Sequence, residues 1–381
     1  MTPSDSSAPE LRPKSFSETS GRHLALRLPA DLADVALCNP ILVAAELDPR
    51  WDRVTVVSPY ESSALLLDDD DASLTSGGSE IVRIGTEREE SAALRRLAPD
   101  AIGLLDHGLR CAWKSARVGI PVRAGIAVGL RRWLLTHGAT PPTSMGRVLP
   151  TPIAHLARDV GGLLGLGTAS LHPRITFCEE RAATAMTRLA DAGVQAGHPF
   201  WLCVPAAEEG QASLWPIAHF AALIDRIVQA RKWAPVLVAW TSAQDQLNHQ
   251  IAEAADSECT CLLLRNRDLR LFAPLAARAR AWVGGGAAPS ALAATAGVPC
   301  LGLFGPTASI ARTPVSAFAS GLAIPELDCA PCLQSVCPLG HGRCLSELQP
   351  ERVLASLIEL IDDREAANQD PNAWSDLEGT S

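Results

Sequence analysis

The sequence predicts an α/β protein made of two doubly wound lobes that face a cleft. Three observations carry this. Short apolar runs alternate with helical patterns along nearly the whole chain, as parallel βα units require. The texture restarts after about residue 170, so the units fall into two successive sets. A length of 381 residues suits two domains, each large enough to bury its own core.

In chain order, apolar runs predict strands at His23–Leu28, Arg53–Val57, Ile81–Ile84 and Ala101–Leu105, with helices at Leu32–Glu46 and Glu87–Leu97. The second set opens with a strand at Phe200–Val204 and a helix over Ile217–Ala230. Strand Pro235–Ala239 with helix Ala243–Ala255 follows, then strand Thr260–Leu264 with helix Leu269–Ala279. Strand Ala281–Val283 runs into Gly284–Gly286, and a helix opens there with Pro289 at or near its first turn, where a missing N–H costs nothing. Strand Cys300–Phe304 ends in Gly305-Pro306-Thr307, and a last helix covers about Glu351–Ile361. The expected boundaries are a disordered tail at 1–22, a first lobe at 23–175, a second lobe at 176–348 with a Cys-rich segment at 329–344, a helix at 349–363 and a disordered tail at 364–381.

Composition narrows the function classes. With 47% hydrophobic and 20% charged residues the chain is globular, and no apolar run is long enough to predict a transmembrane helix. The N-terminus lacks the apolar stretch of a signal peptide, which makes the cytoplasm the expected location. Eleven cysteines, an odd number without an export signal, argue against a disulfide framework. A net charge of −9 argues against general nucleic-acid binding. The charge is unevenly placed. Asp68–Asp71 is an acidic run that reads as a solvated loop, whereas no Asp or Glu lies between Asp106 and Asp159. That interval holds Arg110, Lys114, Arg123, Arg131 and Arg132 among its cations, and reads either as a field for an anionic partner or as a face whose acidic partners lie elsewhere. Trp113 and Trp133 within it could touch a sugar or lipid headgroup, but core packing is the expected role.

Strand ends that feed glycines and helix N-termini are where α/β proteins hold phosphates, because backbone N–H groups point outward there. The turns around Gly285, Gly286 and Ala287 and at Gly305, Pro306 and Thr307 have this form, yet the first carries no side chain able to do chemistry. Cys329, Cys332, Cys337 and Cys344 have the spacing C-x2-C-x4-C-x6-C. Four thiolates so close in sequence could form a structural zinc or iron site; the competing reading is reduced cysteines kept for packing. The other cysteines mostly sit in apolar runs and are expected in the core.

Five stretches carry a family likeness: RLPADLADVALCNP (Arg27–Pro40), VGIPVRAGIAVGLRRWLL (Val118–Leu135), LWPIAHFAALI (Leu214–Ile224), GVPCLGLFGPT (Gly297–Thr307) and CAPCLQSVCPLGHGRCLSELQPERV (Cys329–Val353). Together they resemble glycosyltransferase family 9, the ADP-heptose:lipopolysaccharide heptosyltransferases, and most of all its heptosyltransferase II group, over about residues 23–362. The resemblance implies the GT-B architecture of two Rossmann-like lobes, and an inverting transfer that needs no cofactor for its chemistry. It implies an ADP-heptose donor, an anionic lipopolysaccharide-core acceptor, and a cytoplasmic protein peripheral at the inner face of the inner membrane.

The resemblance also assigns residues. Asp34 occupies the position of the catalytic base, although with Asp31 it also fits a helix N-terminus. The donor side implies Ser213, Asp245, Gly285, Gly286, Ala287, Gly305, Pro306 and Thr307, and the acceptor side Arg110, Lys114, Arg123, Arg131 and Arg132. Three departures stand out. Ser213 replaces a Lys two residues before the Trp-Pro pair, and the family's Asp-Ser-Gly-x-x-His aligns with Gly286–Ala291, without its Asp or His. Two readings follow: a divergent transferase moving heptose or another sugar, or a catalytically degenerate scaffold that binds or assembles with a partner.

Overall fold

The computed structural model describes residues 22–369 apart from 60–71, 74–78, 145–146, 168–171, 206–209, 266–267 and 326. The acidic run at 68–71, residues 1–21 of the N-terminal tail and residues 370–381 of the C-terminal one lie outside the described residues. In the first lobe, β1 (His23–Arg27), β2 (Arg53–Pro59), β3 (Glu80–Ile84), β4 (Ala101–Leu104), β5 (Val122–Ile126) and β6 (His137–Ala139) form one parallel sheet in the order β3-β2-β1-β4-β5-β6. In the second lobe, β7 (Phe200–Val204), β8 (Ala234–Ala239), β9 (Thr260–Leu263), β10 (Trp282–Gly284), β11 (Cys300–Leu303) and β12 (Ala319–Leu322) repeat that order as β9-β8-β7-β10-β11-β12. In both sheets the strand order reverses beside the first strand, so each lobe has its crevice at the carboxyl ends of its central strands. The central strands are buried on both faces, as parallel sheets covered by helices require.

Three differences from the sequence expectations have local causes. The helix expected over Leu32–Glu46 is two, Leu32–Leu37 and Asn39–Leu47, broken at Cys38. Pro40 lacks the N–H a continuous helix would use and fits only in the first turn of the second piece. Strands β5, β6 and β12 were not expected, because their short sequences (VRAGI, HGA, ASGL) contain glycine or charge and fall below a clear apolar run. The closing helix spans Pro350–Gln369, past residue 363, and packs on the helix Ile217–Arg231.

One contact joins the lobes at the crevice. The helix Leu32–Leu37, which follows β1, packs on the helix Ala287–Thr295, which follows β10, and the largest apolar cluster runs through this seam. Ala33 and Ala36 on one side and Ala288 and Ala291 on the other are buried small residues that let the two backbones approach.

Candidate functional site

Asp34 sits in the first turn of the helix Leu32–Leu37, just past the carboxyl end of β1. Asp31 is the N-cap, its carboxylate accepting from the Ala33 N–H at 2.8 Å and, more loosely, from the Asp34 N–H at 3.4 Å. Capping by Asp31 leaves the Asp34 side chain for another purpose. Burial first, and the nearby Asp31 charge second, push the Asp34 carboxyl up to about 6 against the opposing pull of Arg312. A carboxyl titrating near neutrality in an interlobe crevice is what a general base needs.

The donor-side residues all follow the carboxyl ends of second-lobe strands. Ser213 closes a 3-10 turn after β7; it is 8% exposed, and its Oγ has no hydrogen-bond partner among the described residues. Asp245 lies in the first turn of the helix Ser242–Ala254, whose N-terminus Thr241 and Gln244 close with a capping box, so its carboxylate is not needed as a cap. The Gly285 N–H donates to the Val204 carbonyl at 3.1 Å and is engaged in the sheet. Any amide offered to a diphosphate here therefore comes from the start of the helix Ala287–Thr295, which opens at Gly286 without a side-chain cap.

The Cys-rich segment buttresses these turns. Its Ser335 carbonyl accepts from the Ala212 N–H, and its Leu333 N–H donates to the Pro306 carbonyl at 2.9 Å. Gly210 has φ of +104°, and a Cβ there would meet the Ser335 carbonyl oxygen at 2.6 Å. A Cβ on Gly305 would meet Leu345 at 2.8 Å and the Cys344 sulfur at 3.0 Å. Both glycines thus record close backbone approach between this segment and the donor turns. The zinc or iron reading of Cys329, Cys332, Cys337 and Cys344 gains no support from the geometry: among the described residues no group of three or more His, Cys, Asp or Glu is placed to hold a metal ion. The sulfurs are neighbours with different tasks. Burial, then the nearby Cys332, Cys337 and Cys329, raise the Cys344 thiol, whereas backbone N–H donors led by Gly342 pull Cys337 down. All eleven cysteines are free thiols; Cys38, Cys111, Cys203 and Cys300 are buried, and Cys178, Cys259 and Cys261 partly so.

The acceptor-side cations divide sharply. Arg131 is 1% exposed, pairs with Asp106 at 3.3 Å and donates to the carbonyls of Gly108 and Leu104 at 3.2 Å, so it braces the end of β4 and faces no ligand. Lys114 is buried against Glu90 at 2.6 Å. Glu90 also receives Arg27 at 3.0 Å, and Arg27 reaches Asp106 at 3.1 Å. This chain of charges lines a cavity of about 320 Å³ at the carboxyl ends of the first-lobe strands, with Arg110 at its edge. The Cys111 thiol donates to Asp106 at 2.5 Å, and burial followed by that carboxylate pushes it up to about 12. Arg123 donates to the Leu134 and Ile120 carbonyls, holding the turn between β5 and β6. Arg110 and Arg132 point outward, Arg110 toward Glu87 at 2.8 Å and Arg132 over the Trp133 ring at 4.9 Å. The core role expected for Trp113 and Trp133 is wrong, since both are exposed. Their helix and turn bury the opposite faces, through Cys111, Ala112 and Arg131.

Arg312 is a site residue the sequence reading missed. It ends the short helix that follows Gly305-Pro306-Thr307, and its guanidinium reaches across the seam to Asp31 at 3.9 Å. No motif marks it; only the packing of one lobe on the other brings it beside Asp34.

Comparisons with known proteins agree with this fold. Residues 91–342 match the profile of glycosyltransferase family 9 (heptosyltransferase). Lipooligosaccharide heptosyltransferase 2 of Campylobacter jejuni serotype O:2 is 24% identical over 159 residues, 41% of this chain, and the match spans only about half (49%) of that relative's length. The fold is similar to Escherichia coli ADP-heptose lps heptosyltransferase II, with TM-score 0.65, 20% identity, and 90% of this chain and 99% of that one covered. It is also similar to the family 9 glycosyl transferase of Veillonella parvula, with TM-score 0.70, 16% identity, and 90% and 97% covered.

Proposed function

The chain belongs to glycosyltransferase family 9, the heptosyltransferases, and from this premise we propose that it is an inverting transferase moving a sugar, heptose expected, from an ADP-sugar to a phosphorylated lipopolysaccharide-core acceptor. The first lobe (23–175) takes the acceptor and the second (176–348) the donor. The observation that carries the reading is Asp34: a carboxyl pushed up to about 6 by burial, at the seam where the donor-side helix Ala287–Thr295 meets the helix after β1. In the reaction the Asp34 carboxylate takes the acceptor hydroxyl proton, that oxygen bonds to the anomeric carbon from the face opposite the diphosphate, and ADP leaves with the electron pair of the broken C–O bond. Negative charge grows on the leaving diphosphate. The uncapped amides after Gly286 and the Arg312 guanidinium stabilise it, and Arg312 takes the place of the Lys that Ser213 replaces. The cavity beside Arg27, Lys114 and Arg110 is the acceptor's entry, and Arg110, exposed and held at its edge by Glu87, is the cation that meets an anionic group.

Two expectations test this. Arg312→Gln should lower transfer about 10²-fold, the cost of one lost charge stabiliser. It should also move the acid limb of the pH–rate profile upward, because Arg312 holds Asp34 down. An unchanged limb would place Arg312 outside the site. Ser213→Ala removes a buried hydroxyl without a partner, so stability should change by less than about 0.5 kcal/mol. If that hydroxyl meets the diphosphate, calorimetry should read ADP-heptose binding weakened about tenfold.

The alternative is a catalytically degenerate scaffold acting as a binding or assembly partner. What favours it is the seam itself: Ala291, where the family has His, is fully buried, and the first turn of its helix presents no polar side chain to a sugar. Calorimetry with ADP-heptose and other nucleotide sugars separates the readings. Specific binding supports the transferase, and its absence across the panel supports the scaffold.

A further inference from the structure

We propose that the exposed face formed by Leu109, Trp113, Leu130 and Trp133 is a docking surface for an anionic lipid bilayer. Two elements build it. Leu109 and Trp113 lie one turn apart on the helix Leu109–Val118, and Leu130 and Trp133 come from the 3-10 turn Gly129–Trp133. With Arg110 and Leu134 they line one open groove of about 390 Å³. Trp113 is 49% exposed, Leu130 71% and Trp133 73%, and four large apolar side chains held together in water mark an interaction site.

The charges around the groove say what covers it. The Arg117 guanidinium lies over the Trp113 ring at 5.1 Å and that of Arg132 over Trp133 at 4.9 Å, and neither makes an ion pair among the described residues. Arg110 meets only Glu87, and no acidic residue occurs in the chain between Asp106 and Asp159. Each arginine is therefore anchored on an aromatic body with its charge turned outward. A covering partner must offer an apolar interior and a negative boundary at one edge. An anionic bilayer has both: indole rings seat at headgroup level, apolar side chains enter beneath, and arginines stay with the phosphates. No helix among the described residues is long and apolar enough to cross a membrane, so the contact is interfacial. Arg110 also borders the first-lobe cavity, so docking sets the mouth of that cavity at the membrane surface. The surface does not depend on the transferase reading, because vesicle binding requires no catalysis.

The test is sedimentation of the full chain with vesicles of phosphatidylcholine alone and of phosphatidylcholine mixed with phosphatidylglycerol. The protein should pellet with the mixed vesicles, release as salt rises, and stay in solution with phosphatidylcholine alone. Trp113→Ala/Trp133→Ala should abolish pelleting. Arg117→Gln and Arg132→Gln should each weaken it about fivefold. Because all four side chains are exposed, unchanged thermal unfolding confirms that each variant is folded, and Leu130→Lys offers an independent disruption. The proposal is overturned if the wild type pellets with neither vesicle or if the tryptophan pair changes nothing. It is equally overturned if the same pair instead removes a concentration-dependent dimer, which would make the face an interface between two copies.

Discussion

Asp34→Asn is expected to lower sugar transfer roughly 10²–10⁴-fold, the span that loss of a general base covers, without lowering thermal stability at pH 7.5. The two halves of this expectation come from one cause. Burial first, and Asp31 second, push the Asp34 carboxyl up to about 6. Its base form is thus present above pH about 6, and kcat/KM should rise with unit slope through that value and then level off. The asparagine variant should lack this limb. For stability the sign follows from linkage: a carboxyl whose folded pKa lies above its unfolded one favours folding below the unfolded value and loses that contribution as pH rises through the folded one. At pH 7.5 the native state carries the full cost of an ionised, half-buried carboxylate, and asparagine removes it. The difference in Tm between variant and wild type should therefore be zero or positive at pH 7.5 and shrink toward pH 4. Transfer that survives Asp34→Asn unchanged would remove Asp34 from the mechanism, and a large fall in Tm at pH 7.5 would mean its charge is a structural partner instead.

The largest effect on folding is expected from Glu90→Gln. Glu90 is 4% exposed and is shared by Arg27 and Lys114 at 3.0 and 2.6 Å, so a neutral amide leaves two cations in a desolvated site. Breaking a buried ion pair by removing one partner costs about 3–5 kcal/mol. For a lobe of this size that corresponds to roughly 10 °C in the midpoint of its unfolding transition. Replacing both members of the close pair, Glu90→Leu with Lys114→Met, should lose less than the two single changes added together, since no unpaired charge then remains. Calorimetric unfolding of the four proteins checks this; additive losses would show that the pair is not coupled.

Much of the fold was legible because its causes are local. The alternation of apolar runs and helical periods located nine strands and five helices to within a few residues but left the helices Leu109–Val118, Ile153–Leu163 and Glu179–Asp191 unplaced. Asp31 as a cap and Asp34 in the turn after it follow from the first turn alone. The strands that were missed lie at or next to the sheet edges and are short pieces whose glycines and arginine hide the apolar signal, and Pro40 broke a helix whose period ran on past it. The site was legible only in part. Gly286 and Gly305 mark turns from sequence, but that the Gly285 amide is engaged by Val204, and that Gly305 abuts Cys344, depends on strands and segments meeting across the lobe.

The basic interval shows most clearly where local reasoning stops. Six cations lie within Arg110–Arg132, and the five that the resemblance puts on the acceptor side look equivalent in sequence. In the structure Arg131 and Lys114 are buried ion-pair partners, Arg123 braces a turn, and Arg110 and Arg132 face solvent. Periodicity cannot divide them, because a cation is buried only where distant carboxylates and carbonyls arrive to compensate its desolvation, and Glu90, Asp106 and Leu104 come from other elements. The sequence by itself determined the two-lobed α/β class and the family, and offered Asp34 as the candidate base, since each is written in contiguous residues. Only the tertiary structure decided which charges are internal, placed Arg312 beside the Asp31–Asp34 turn and turned two tryptophans outward. Those outcomes rest on contacts between residues far apart in the chain, and such contacts exist only once the lobes have packed.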